Sequence, residues 1–112
     1  MQTLNKLYDS GNCIVPESGR YSVEIQIGGK WQIILEKKIK DGRGTNHFPV
    51  FLLRHRSISC MTFRISMFED EVLFVYDNKV IIDRLKKISA DRWLGKVYCR
   101  NQLLGYFYLT KI

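Results

Sequence analysis

Residues 20–40 read RYSVEIQIGGKWQIILEKKIK, and this stretch decides the fold. Tyr21, Val23, Ile25 and Ile27 alternate with Ser22, Glu24 and Gln26. Successive side chains of a strand point to opposite faces, so the alternation predicts a strand with one buried side. Gly28-Gly29 follows, a pair that accepts the positive φ angles of a two-residue hairpin turn. The return strand is predicted over Lys30–Lys40, with Trp31, Ile33, Leu35 and Ile39 inward. Lys30, Gln32, Glu36, Lys38 and Lys40 face water.

The same period recurs outward from this hairpin. Residues 57–67 place Met61, Phe63, Ile65 and Met67 on one face and Thr62, Arg64 and Ser66 on the other. Val72–Tyr76 follows a Glu69-Asp70 turn, and β-branched Val80–Ile82 reads as another short strand. Arg84–Ile88 reads as a helical turn. Arg92–Arg100 and Leu103–Ile112 form a second hairpin around Asn101-Gln102. There Trp93, Gly95, Val97 and Cys99 share a face, as do Leu103, Gly105, Phe107 and Leu109. Glycines inside strands mark bends or close approach. Asp41–His47 reads as a glycine-rich loop, and the apolar run at 48–53 fits either a buried strand or a short helix.

An antiparallel meander of about seven or eight strands must bury one face and hide its edges, and closure into a small barrel does both. No long amphipathic helix is present to cover an open sheet. The expected fold is therefore all-β, a single closed or nearly closed barrel over residues 20–112. Residues 1–19 form an irregular N-terminal segment in which Leu4, Leu7 and Tyr8 fit one helical turn against the body.

Gly29-Lys30-Trp31 followed by a meander resembles the lipocalin and calycin superfamily of up-and-down barrels. The resemblance covers residues 20–112 and rests on two fixed residues, Gly29 and Trp31. It departs from the family pattern because a full strand precedes the glycine, whereas the family's motif opens its first strand. It implies a calycin-like barrel whose tryptophan packs across one end beneath a late basic residue, Arg100 or Lys111 here. It also implies an interior that takes apolar or amphipathic small molecules.

Charge is unevenly distributed. The chain carries 18 basic and 11 acidic residues, a net +7. Residues 37–56 hold six basic and one acidic, and residues 84–112 seven and one, so two segments carry the excess. Such segregation concentrates the field on part of a fold. Cys13, Cys60 and Cys99 are an odd, widely spaced set, which reads as free thiols in a reducing cytoplasm rather than a disulfide framework. No apolar run reaches bilayer length, and the N-terminus lacks the apolar core of a secretory signal. A cytoplasmic protein without membrane insertion is expected.

Catalytic constellations are scarce. His47 and His55 lack metal-ligand spacing to any second ligand. Cys60 sits on a predicted strand with no helix N-terminus to activate it. Glu69, Asp70 and Glu71 occupy a turn, and Gly42-Arg43-Gly44 lacks the lysine and helix of a phosphate loop. The expectation is a non-enzymatic binding module with no cofactor and no metal. Two surfaces qualify as sites. At the barrel mouth, Trp31, Lys40, Arg43, His47 and Arg54 would hold a small amphipathic anion or a protein partner. Alternatively, Lys96, Tyr98, Arg100, Tyr106 and Tyr108 present rings interleaved with cations, the surface that binds single-stranded nucleic acid. A homodimer contact is another use for such a tyrosine face.

Overall fold

Gly28 and Gly29 take φ of 58° and 81°, the left-handed pair that a tight hairpin turn requires. The same backbone recurs at Asp41-Gly42 and at Arg100-Asn101. The last hairpin therefore turns one residue earlier than the sequence suggests. In the computed structural model, which describes residues 3–47 and 61–112, these turns join a helix and eight strands. They are α1 (Leu4–Asp9), β1 (Gly19–Ile27), β2 (Lys30–Lys40), β3 (Arg43–His47) and β4 (Thr62–Phe68), then β5 (Glu71–Tyr76), β6 (Ile81–Ser89), β7 (Arg92–Cys99) and β8 (Gln102–Lys111). Each strand pairs antiparallel with the next, and β8 returns to β1 from Tyr21↔Lys111 to Ile25↔Phe107, which closes the barrel.

Inward positions fill the interior. Tyr21, Phe63, Phe74, Leu85, Phe107 and Leu109 are almost wholly excluded from water. Each such side chain contributes about 1.5–3 kcal/mol relative to an exposed one. Two glycines permit this density. A Cβ on Gly44 would lie 2.1 Å from the Phe63 ring, and one on Gly95 would lie 2.2 Å from the Phe107 ring. The strand glycine at 95 thus marks the expected close approach.

Several expectations are corrected. Asp41–His47 is not a loop: Arg43–His47 is β3, with Gly44 as the gap that accepts Phe63. Arg84–Ile88 is not a helical turn but part of the long β6, whose inner side buries Leu85 while its outer Lys86 lies under α1. Burial on both sides mimics helical spacing. Trp31 and Ile33 do not point inward. Val23 pairs with Leu35 and Glu24 with Ile33, so Ile34 is an extra residue in β2. That bulge reverses the faces before it. Ile33 is consequently 65% exposed. Leu103 is turned outward in the same way, because Leu104 is extra between Val97↔Gly105 and Tyr98↔Leu103. Met67 keeps its inward parity opposite Val72 but stands exposed near the strand end.

The N-terminal segment packs on the barrel. Thr3 caps α1 by accepting from the Lys6 amide, and Tyr8 is buried. Asn12 exchanges backbone bonds with Lys87. The Ile14 carbonyl then accepts from the Trp93 indole at 2.7 Å, and the Glu17 carbonyl from the Tyr21 hydroxyl at 2.7 Å. Trp93, edge-on to Tyr21 and beneath Lys87, is thus the tryptophan packed at this end of the barrel, rather than Trp31.

Candidate functional site

On β2, β3 and β4 the outward positions gather cations. Lys38 and Lys40 leave β2 on the side opposite Leu35, Lys37 and Ile39, and Arg43, Thr45 and His47 alternate with inward Gly44 and Asn46. Register then sets Lys40 opposite Arg43 and Arg43 opposite Arg64. A second row, Lys38–Thr45–Thr62, lies beside the first. All four cations are exposed. Like charges directly opposite one another across strands are destabilising.

No carboxylate among the described residues lies within 4 Å of these four side chains. Residues 48–60 contain neither Asp nor Glu, so that stretch supplies none either. Elsewhere five outward cations have a carboxylate partner: Arg20 with Glu36, Arg84 with Glu71, Lys86 with Asp70, Arg92 with Glu24 and Lys111 with Glu17. A hollow of about 300 Å³ opens between Lys38, Lys40, Arg43, Thr45 and Thr62. A second, of about 420 Å³, lies on the far side of Arg43 and Arg64 and is lined by Asp41, Gly42, Ser66 and Val75 among others.

Of the residues expected at a barrel mouth, Lys40 and Arg43 are brought together, on the outer wall. His47 continues the same face of β3, its Nε2 2.7 Å from Thr45 Oγ1. Burial first, and then Lys38, push its pKa down, which favours the neutral ring. Trp31 is not part of the group: it lies outside, tilted against the Tyr108 ring at 4.5 Å. Arg54 lies outside the described residues. Lys38 and Arg64 belong to the face and were not singled out, although both occupy outward positions in the alternation. What the sequence withholds is the register that sets Arg64 beside Arg43. No protein-family model, curated protein or solved structure matches this chain.

The tyrosine face is differently arranged. Lys96 lies over the Tyr8 ring at 4.2 Å, and the Tyr106 hydroxyl donates to Asn5 Oδ1 at 2.8 Å, so α1 engages this side of β7 and β8. Arg84 lies over Tyr98, and Tyr108 contacts both Trp31 and Arg92. Arg100 is exposed in the β7–β8 turn. These rings already have partners within the chain.

The barrel interior also holds a polar cluster. The Lys37 amine donates to Asn46 Oδ1 at 2.6 Å and to the Tyr76 hydroxyl, which donates to Asp83 Oδ2 at 3.0 Å. Lys37 and Asp83 are 3.7 Å apart, both buried, and Phe63 lies 4.8 Å beneath the ammonium. Burial brings the Lys37 pKa down to about 8, opposed by Asp83, and burial raises that of Asp83 against Lys37. Each of Lys37, Asn46, Tyr76 and Asp83 has a partner inside the cluster, which makes it a structural pin of β2, β3, β5 and β6. Among the described residues no three metal-binding side chains converge, and Cys13 and Cys99 are unbridged.

Proposed function

We propose that this chain is a non-enzymatic cytoplasmic binding module that holds an anionic partner on the outer face of β2, β3 and β4. One observation carries the reading: Lys38, Lys40, Arg43 and Arg64 are exposed and set against each other without a carboxylate, whereas Arg20, Arg84, Lys86, Arg92 and Lys111 each have one and Lys87 and Lys96 lie over rings. Repulsion held in the free protein is relieved when an anion arrives, so binding and relief of strain act in the same direction. A small amphipathic anion and an acidic macromolecule share this charge requirement.

The test is retention on immobilised heparin at low salt, comparing two variants of equal net charge. Changing Lys38, Lys40, Arg43 and Arg64 together to Gln abolishes retention. Changing Lys6, Lys30, Lys79 and Arg100 to Gln leaves most of it. Equal losses in the two variants overturn the assignment of the face, because net charge alone then explains binding.

A further inference from the structure

The geometry points to a single-stranded nucleic acid as the partner, held by its phosphates along the β3–β4 seam with its bases left unstacked. This rests on the reading that the face holds an anion. The two hollows flank one Arg43–Arg64 pair, so the site is a trough rather than a single pit. Along the strands it runs from the Thr45–Thr62 row, past Arg43–Arg64, to Ser66. Four residues of strand span about 13 Å at about 3.3 Å per residue. That is too long for one phosphate and suits a short run of them.

The donors also match phosphates placed in series. Two guanidinium forks stand at the centre and two lysines on the β2 side, while the Thr45 and Thr62 hydroxyls at one end are engaged by His47 and Asp77. Guanidinium groups recognise phosphate oxygens in bidentate fashion. Phe63, the one ring among the described residues lining the trough, points inward onto Gly44. Among the described residues no aromatic surface is therefore offered for stacking there.

Fluorescence anisotropy with labelled thymidine oligomers of increasing length, beside a base-free oligomer of the same backbone, tests this. Affinity should climb steeply up to about four nucleotides and then flatten, and the base-free oligomer should bind within about twofold of its thymidine counterpart. The logarithmic salt slope should fall by roughly 1.4 on changing Arg43 and Arg64 to Gln, since each single-strand phosphate contact contributes about 0.7. Three results overturn the inference. They are strong loss of affinity without bases, binding of inorganic phosphate as tight as that of oligomers, and preference for polyglutamate at matched charge. In each of these the anion-binding face survives. If none of these probes binds at low salt, the face itself is refuted.

Discussion

The two outer walls of the barrel treat positive charge in opposite ways. On β6, β7 and β8, Arg84 lies over Tyr98 and reaches Glu71, Arg92 lies over Tyr108 and reaches Glu24, and Lys96 lies over Tyr8. On β2, β3 and β4 the cations face one another and water. Both regions carry the excess charge of the sequence, yet only one leaves it unspent. Local density of Lys and Arg is thus a poor guide to a binding face. What matters is whether the fold has already supplied the counter-group.

The comparison breaks most visibly at Tyr8. Its ring is buried, its hydroxyl donates to Glu71, and Lys86 and Lys96 both lie over it. Tyr8→Ala should cost about 3–5 kcal/mol in urea unfolding, as large-to-small changes of buried aromatics do. It should also uncover Lys96 and so raise the salt needed to elute the protein from heparin. Loss of stability without stronger retention would mean that α1 does not mask that wall.

A smaller effect comes from the inner side of β2, where Lys37 is paired while its neighbour Lys38 is not. Its pKa in the folded chain, about 8, lies below the ordinary 10.5. Between those values the unfolded chain binds the proton more tightly than the folded one, so stability rises with pH across that window. The rise is on the order of 1–3 kcal/mol. Unfolding of the wild type and of Lys37→Met at about pH 7.5 and about pH 10 isolates it: the difference between the two proteins should change with pH. A constant difference would show that the amine is not held in its low-pKa surroundings.

How much of this was legible follows from where the period of two survives. It survives from Thr62 to Ile65 and from Trp93 to Val97, and there the inward residues are as expected. It fails at Trp31 and Ile33 because one extra residue, Ile34, lies downstream and nothing in its side chain announces a bulge. The strand that carries Arg43 was hidden differently. Two glycines and Asp41 make its neighbourhood look like a loop, but Gly44 is small because Phe63, distant in sequence, packs upon it. Lys37 continues the inward parity of Leu35 and Ile39, yet a lysine there is expected to face water unless Asp83 is known to be opposite. Pairings between distant residues carry the site, and alternation does not encode them.

The smallest effect is the sharpest discriminator between the two walls. Arg43 stands between Lys40 and Arg64 across the strands. Replacing it with Thr, a good strand former, removes two like-charge contacts and breaks no ion pair. Arg43→Thr should therefore leave stability unchanged or raise it by a few tenths to about 1 kcal/mol at low salt, with the gain fading as salt screens the repulsion. Arg92→Thr should do the reverse, because Arg92 has both Glu24 and the Tyr108 ring; it should lose about 0.5–1 kcal/mol. Parallel urea titrations at about 20 mM and about 500 mM salt read both. A stabilising loss of charge at Arg43, coupled to weaker anion binding, is what a surface kept for a partner should show, since the residue then works against the free fold. If Arg43→Thr destabilises as Arg92→Thr does, Arg43 has an intramolecular role and the two walls are alike.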